Sequence, residues 1–404
     1  MCELPDDRER CDALETLPPD LKSTYERILR RIDKTNIPVQ RLVQRTLRWL
    51  VVARGALTIS ALREALSLRD GISRLDRDAV PDEFVILRSC RSLVRKSASG
   101  LVVELAHFTV KEFLLGIGCD SEFSAYRVDV EESEVELGKV CLTYLTLQDF
   151  KSGVSWSQEA QLRRLQEYAF RHYAVKHWLS HAGARQGDPG LLTLIQKLLD
   201  PSKPGTFTTW THDHQSIFGS DKDRQTLRAA SSTEDVQRVY AGIATHTPLH
   251  YASAFNLPEI CKWLLDCGCK VNHMSKFSTP LNHALGGPSS IIWSPETINR
   301  NGISLIQNEN KCKVIDILLE AGADPNIESV QGYPPLYYAW TDRDIILRLL
   351  QKGARYKDKN AYYSPYQDRK ARDLLNTVGR ENLHEDDYAW LLERAIHEDA
   401  CGVD

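Results

Sequence analysis

The stretch "THTPLHYASAFNLPEICKWLLDCGCKVN", from Thr245 to Asn272, decides the fold of the second half of the chain. It places Thr-Pro-Leu-His before two short amphipathic runs, and the second run ends at a lone glycine, Gly268. Pro248 suits the first turn of a helix, where its missing N–H costs nothing. Gly268 suits the left-handed residue that commonly ends a helix. The stretch therefore predicts two short helices joined by a tight turn.

The same unit recurs along the chain. Thr279-Pro280-Leu281-Asn282 repeats the opening residues 32 positions later, and a third copy begins at Pro334. The closing pattern returns in "VIDILLEAGADPN", which ends at Asn326, and in "IILRLLQKGA", which ends at Ala354. A period of about 33 residues with T-P-L-H-x-A and a closing L-L-x-x-G-A resembles the ankyrin repeat.

The repeat pattern assigns structural roles to two residues that invite other readings. His250 is expected to hydrogen-bond the backbone of a turn, and a catalytic imidazole is the less favoured alternative. Asn256 stands where a glycine is usual, and it can adopt the left-handed conformation. The second repeat carries an insertion of about 22 residues, within 286–310. Such loops often build binding surfaces, and the alternative is a loop that packs on its own repeat.

The first half of the chain reads as helices followed by a β-hairpin. "LPPDLKSTYERILRRID" (17–33) predicts an amphipathic helix, and further helices are predicted in "VQRLVQRTLRWLVVA", "LTISALREAL" and "DEFVILRSCRSLV". "LVRKSASGLVVELAH" alternates on both sides of Ser-Ala-Ser-Gly, as a β-hairpin does. Three short helices followed by a two-stranded wing predict a winged helix.

These segments resemble a known family. "LPPDLKSTYERIL", "ALTISALREAL", "LRSCRSLV" and "ELAHFTVKEFLL" are similar to the region that follows the NTPase in fungal NACHT-type and ankyrin signalling proteins. That region is the winged-helix domain of the GPI inositol-deacylase-like type, and the label implies no lipase activity here. The likeness continues through "VCLTYLTL" and "YAFRHYAVKHWLSHA" to the ankyrin repeats.

The resemblance does not extend to the NTPase. No G-x-x-x-x-G-K-[ST] occurs, and the only Gly-Lys pair is Gly138-Lys139. ATP-driven switching is therefore not carried over to this chain. We expect either a stand-alone derivative or the C-terminal part of a larger or split gene, with a separate NTPase chain as a conceivable partner.

Together these patterns predict a mainly α protein: a winged helix with a small β-hairpin wing, a helical bundle and a short ankyrin-repeat α-solenoid. The predicted parts are an N-terminal helical segment (1–36), a winged-helix domain (37–118), a helical bundle (119–200), a linker with an N-terminal cap (201–244), and ankyrin repeats (245–404). The last part holds about three recognisable repeats, a degenerate fourth and a cap.

Composition narrows the class of protein. At 42% hydrophobic and 26% charged residues, the chain can bury real cores. Its formal net charge of −4 gives no global attraction to nucleic acid or anionic membrane. No apolar run approaches the roughly 20 residues that span a bilayer, and the N-terminus lacks the apolar core of a signal peptide. We expect ten free thiols and a cytoplasmic protein, with the nucleus left open.

Three groups of metal-ligating residue types occur, and none predicts a metal site. The groups are Cys261, Cys267, Cys269 and His273; His172, His177 and His181; and His212 and His214. In the first group, Cys261 falls on an apolar helix face and two cysteines flank Gly268, which favours repeat packing over zinc. The second group lies on one scaffold helix, and the third is expected in a polar linker. No G-x-S-x-G, H-E-x-x-H or dinucleotide fingerprint occurs, so no enzyme, metal or cofactor is expected.

The preferred hypothesis is a non-catalytic adaptor, a regulatory or signalling scaffold whose ankyrin repeats bind a protein partner. The expected contacts are Lys276, Phe277 and Gln331 at the hairpin tips, with Phe255, Trp293 and Trp340 as aromatic anchors. Core packing is the alternative for Trp340.

The alternative from another class is a winged-helix nucleic-acid binder. Its contacts would be Arg88, Arg91, Arg95 and Lys96. Asp82 and Glu83 stand where phosphates would be met, and residues 84–87 make the helix mostly apolar, as in a packed core helix. Nucleic acid is therefore the less favoured partner.

Overall fold

The computed structural model describes residues 21–69, 71–150, 163–164, 166–218, 245–286, 308–339, 342–355 and short pieces between 375 and 392. The chain forms two compact units, which divide between Leu194 and Ile195. It is mostly helical with one small antiparallel sheet, which confirms the predicted fold class. The limits of the smaller predicted parts stay predictions.

The first unit contains the predicted winged helix and helical bundle. Its elements are α1 (Leu21–Asp33), α2 (Ile37–Val52), β1 (Leu57–Thr58), α3 (Ile59–Ser67), α4 (Glu83–Cys90), β2 (Val94–Lys96), β3 (Val102–Leu105), α5 (Phe108–Leu115), α6 (Val130–Leu145), α7 (Arg171–Ala182) and the start of α8 (Pro189–Leu198).

The sheet has the strand order and register of a winged helix. β3 lies between β1 and β2, and both neighbours run antiparallel to it. Leu57 pairs with Val103, and Val94 pairs with Leu105. The order α2-β1-α3-α4-β2-β3 confirms the prediction made from three helices and a hairpin.

Local chemistry fixes where these helices begin and which faces they bury. The Thr58 hydroxyl caps α3 by accepting the Ala61 N–H at 3.1 Å, as expected for a threonine at this position. On α1, Leu29 and Ile32 are buried. Tyr25 on the same helix bonds the Thr109 hydroxyl on α5 at 2.6 Å. The amphipathic pattern of α1 therefore covers the core of the winged helix.

Gly138 allows α6 and α7 to pack closely. A Cβ atom at this position would lie 3.3 Å from the Ala182 nitrogen and 3.2 Å from a Leu191 methyl group. The following residue, Lys139, forms an ion pair with Asp188 at 2.9 Å. The single Gly-Lys pair of the sequence thus has a packing role on a helix.

The second unit contains a row of helix pairs with further helical residues ahead of them. Its elements are the end of α8, α9 (Pro204–Phe218), α10 (Pro248–Ala254), α11 (Pro258–Asp266), α12 (Pro280–Gly286), α13 (Asn308–Glu320), α14 (Pro335–Ala339) and α15 (Arg343–Gln351). The predicted cap helix within 231–243 and nearly all of the insertion lie outside the described residues.

Each pair ends with a residue in the left-handed region. Gly268, Gly322 and Gly353 follow α11, α13 and α15 with φ values of 85°, 89° and 86°. Asn256, between α10 and α11, has φ 53°, as predicted from the sequence. The three pairs α10/α11, α12/α13 and α14/α15 therefore lie where the three repeats are predicted, each a helix pair followed by a left-handed glycine.

Asparagine side chains join one repeat to the next. The Asn272 side chain donates to the Gly322 carbonyl at 2.9 Å and accepts the Asp324 N–H at 2.9 Å. The Asn326 side chain likewise donates to the Gly353 carbonyl at 3.0 Å and accepts the Arg355 N–H at 2.8 Å. The same two bonds therefore set the spacing of both repeat junctions.

We predict that Asn272→Ala destabilises the repeat unit by about 1–2 kcal/mol, because it removes two hydrogen bonds from one junction. Lys270→Ala is the matched control, since Lys270 is an exposed residue of the same hairpin. Its effect is expected to stay within about 0.5 kcal/mol. Urea denaturation followed by circular dichroism measures both. Equal effects of the two substitutions would contradict the role given to Asn272.

Candidate protein-interaction surface

The first hairpin tip is held in shape by its own backbone and by residues of the first repeat. The Ser275 N–H donates to the Ser278 carbonyl at 3.0 Å, and the Lys276 N–H donates to the Thr245 hydroxyl at 2.7 Å. Lys276 is exposed, and the half-buried Phe277 ring lies 5.5 Å from the His246 ring. This tip presents an exposed cation and a half-buried aromatic ring on a hydrogen-bonded loop.

The second hairpin tip is hydrogen-bonded to the first. The Val330 N–H donates to the Phe277 carbonyl at 2.9 Å, and the Ser329 N–H donates to the Tyr333 carbonyl at 2.9 Å. Val330 is 68% exposed, and Gln331 beside it is exposed as well. The two tips therefore form one continuous surface.

Aromatic rings extend this surface onto helix α14. The Tyr333 and Tyr337 rings stack with centroids 4.2 Å apart and planes 14° apart, and Tyr338 stands nearly perpendicular to both. Tyr337 is 39% exposed. Each of these rings is braced by the other two, so its position is set before any partner arrives.

We call this set the fingertip surface. It consists of Met274, Lys276, Phe277, Val330, Gln331 and Tyr337. Three of these residues were predicted from the sequence. Met274, Val330 and Tyr337 were not, although their position in a hairpin tip or on the first helix of a repeat is the signal that marks such residues.

Of the three predicted aromatic anchors, Trp293 and Trp340 lie outside the described residues. The prediction for the third, Phe255, is wrong. Phe255 is only 2% exposed, and its ring lies 6.3 Å from Trp210 and 5.9 Å from Tyr251. It is a core residue at the start of the repeats and is out of reach of a partner.

Helix α9 covers the first repeat. The Trp210 and Phe207 rings of this helix lie 5.0 Å and 5.6 Å, respectively, from the Tyr251 ring of the first repeat. His212 and His214 on the same helix are buried, so the prediction that they lie in a polar linker is wrong. Burial lowers the pKa of His214 to about 3. The helix therefore closes the apolar end that a first repeat leaves open.

His250 has the structural role predicted for it. Its Nδ1 accepts the Thr247 N–H at 3.0 Å, which leaves the proton on Nε2, and Nε2 donates to the His273 carbonyl at 3.1 Å. Burial, and then the neighbouring His246, lower its pKa to about 3. Both ring nitrogens are occupied by backbone groups, so the neutral imidazole serves as a fixed link to the next hairpin.

Several of the other histidines and cysteines considered as metal ligands are also buried within the chain. Cys261 is fully buried beside the Ser253 hydroxyl, and burial raises the pKa of its thiol to about 12. His181 bonds Glu134 and, at 2.9 Å, the Tyr173 hydroxyl. Burial lowers the pKa of His177 to about 3. Within the described residues, no group of three such side chains is arranged to hold a metal ion.

The winged helix presents a different face from the one predicted. The residues named for nucleic acid are Arg88, Arg91, Arg95 and Lys96. Arg95 pairs with Glu104 at 2.9 Å, and Lys96 pairs with Glu83, so both wing cations are engaged within the chain. Phe84 is 66% exposed and Val85 is 42% exposed, so the prediction of an apolar core helix is wrong for this side of α4.

The fold and these surfaces define a winged-helix protein with ankyrin repeats. Residues 32–126 match the family described as "GPI inositol-deacylase, winged helix domain", and residues 245–273 match the ankyrin repeat. The resemblance inferred from the sequence is thereby confirmed over these two segments. Among the described helices, none has both the length and the apolar character needed to cross a bilayer.

A curated relative extends the similarity beyond these segments. The "Azaphilone pigments biosynthesis cluster protein L" of Monascus ruber is 27% identical over 323 residues. The match covers 77% of this chain and 61% of that protein, so the chain spans less than two thirds of its relative's length.

We predict that acid destabilises the ankyrin repeats through His250. Its pKa is lowered in the folded state, so below about pH 6.5 the unfolded chain binds a proton that the folded state does not. Stability present above pH 6.5 is therefore lost as the pH falls toward 3. Between pH 7.5 and pH 5 this group alone accounts for a loss of about 2 kcal/mol.

His250→Asn tests the contribution of this one group, because Asn282 holds the equivalent place in the next repeat and donates to the Ile327 carbonyl at 3.0 Å. The substitution is expected to reduce the acid-induced loss by about 2 kcal/mol. Hydrogen exchange of α10 amides, corrected for intrinsic rates, measures the free energy of unfolding at pH 7.5 and at pH 5. His107→Asn, at an exposed histidine, is the control. An unchanged acid-induced loss in His250→Asn would contradict the assignment.

Proposed function

We propose that this chain is a non-catalytic adaptor that binds a protein partner through its ankyrin repeats. The observation that carries the proposal is the fingertip surface, where exposed apolar and aromatic side chains stand on two hydrogen-bonded hairpin tips. Exposed apolar residues rimmed by polar ones mark protein-binding sites. An ankyrin stack also offers an extended surface made by several repeats.

The composition of the fingertip surface supports a protein as the ligand. Tyrosine and methionine are enriched at the cores of protein interfaces, and tyrosine is frequent among the residues that dominate affinity. Tyr337 is held by stacking on Tyr333, so little side-chain freedom is lost when a partner binds it. Lys276 and Gln331 add polar contacts at the rim.

The proposal also covers catalysis, the first half of the chain and the cellular compartment. The buried imidazoles and thiols described above pack or hydrogen-bond inside the chain, which supports a binding role over catalysis. We assign the winged-helix and bundle half a regulatory or scaffolding role related to NACHT-type signalling proteins, and we place the chain in the cytoplasm. A separate NTPase chain is one class of partner within this proposal.

A nucleic-acid binder is the second candidate, and the exposed Arg88 and Arg91 at α4 favour it. Against it, Arg95 and Lys96 are paired with carboxylates of the same domain. Phosphate contacts would make retention on DNA strongly salt-dependent. Retention that is lost in Arg88→Ala, Arg91→Ala would support this candidate over the adaptor.

We predict that Val330→Asp combined with Tyr337→Asp weakens partner binding at least tenfold, because each places a charge in the apolar centre of the fingertip surface. The control is Lys262→Ser with Asp266→Ser, two exposed residues on the second helix of the first repeat. The control is expected to bind like the unaltered chain. Quantitative affinity purification with mass spectrometry measures both. Full binding by the double aspartate variant would exclude the fingertip surface.

A further inference from the structure

The exposed side of α4 carries apolar and cationic residues that the winged helix itself does not use. We call it the α4 surface: Phe84, Val85, Arg88 and Arg91. In the same helix Ile86 and Cys90 are buried and hold it to the domain. The core of the domain does not need apolar residues at these outer positions, and Phe84 and Val85 together expose an apolar patch.

Charge on this surface is divided between the two ends of α4. At the start, Asp82 accepts the Phe84 N–H at 2.8 Å as a helix cap, and Glu83 pairs with Lys96. At the end, Arg88 and Arg91 are exposed, and no carboxylate lies within ion-pairing distance of either in the part of the chain that the structure describes. The apolar start is thus electrically balanced, and the end carries uncompensated positive charge.

Arg91 is held in a backbone conformation that favours glycine. Its φ is 52° and its ψ is −138°, directly after the last residue of α4. A non-glycine residue in this region is strained, and such strain persists only where the surrounding structure holds it, as is frequent at functional sites. An exposed arginine stands at this position although glycine would fit the backbone better.

From this geometry we propose that the α4 surface docks an acidic amphipathic segment of another protein. Its apolar residues cover Phe84 and Val85, and its carboxylates pair with Arg88 and Arg91. Arg88 follows Phe84 by about one helical turn and Arg91 by about two, so a helical partner would present its acidic groups one to two turns from its apolar ones. The Arg88 guanidinium lies 5.9 Å from the Phe84 ring, which joins the two kinds of contact.

A phosphate backbone fits this surface less well than a peptide does. The wing cations that would extend a phosphate path, Arg95 and Lys96, are already paired with Glu104 and Glu83. Phe84 would in addition face a charged groove. The proposal concerns the first unit and does not depend on the function proposed for the ankyrin repeats.

Photo-crosslinking in the native host tests the proposal with the full chain. p-Benzoylphenylalanine replaces Phe84, and the same residue at Leu21, an exposed position of α1, is the control. We expect adducts at position 84 that map to protein segments rich in Asp, Glu and apolar residues, at several times the yield from position 21. Adding Val330→Asp and Tyr337→Asp is expected to leave that yield unchanged.

Arg91→Gly separates binding from folding. Glycine relieves the backbone strain and removes the charge, so the melting temperature is expected to stay the same or rise while the crosslinking yield falls at least threefold. The proposal is overturned by adducts with nucleic acid, by a yield no higher than at Leu21, or by a yield that Arg91→Gly leaves unchanged.

Discussion

The two hydrogen bonds that each junction asparagine makes are the interaction on which the repeat unit depends. An ankyrin repeat is too small to bury its apolar face alone, so it is stable only against a neighbour at a fixed distance. Asn272 and Asn326 set that distance by bonding both a carbonyl and an N–H of the next repeat. His250 adds a third link, and α9 closes the first repeat with Trp210.

This constraint also explains where the proposed binding surface lies. Once the junctions are fixed, the hairpin tips must lie side by side, and the bond from Val330 to Phe277 joins them. Lys276 at the first tip and Val330 and Gln331 at the second are exposed to solvent. Preorganised side chains lose little entropy on binding, which suits a surface built for a protein partner.

Much of this arrangement could be predicted from local sequence. The closing glycines, Asn256 and the T-P-L-H turn are recognisable because each has a conformational or hydrogen-bonding requirement that few residue types meet. The winged helix was predicted for the same reason, since its hairpin and caps are encoded within a few residues. Two of the proposed contacts, Lys276 and Gln331, are exposed as a position at a turn implies.

The predictions that were wrong concern residues whose burial depends on contacts between distant segments of the chain. Phe255 is buried by α9, a helix about 40 residues earlier in the chain, and nothing near Phe255 announces it. His214 is a polar residue in the sequence, yet its ring packs against Tyr251. Phe84 sits in an apolar run that suggests a core, but only one side of α4 faces the domain. Periodicity shows that a face is apolar, and it does not show whether another segment covers it.

The most direct test of the adaptor account compares the proteins that co-purify with the whole chain and with a chain ending at Thr233. Circular dichroism first establishes that the shorter chain is folded. The account predicts that the stable partners of the repeats are lost from the shorter chain and that nucleic acid is absent from both. Partners that all remain, or nucleic acid that co-purifies with both chains, would contradict it and assign the function to the first half.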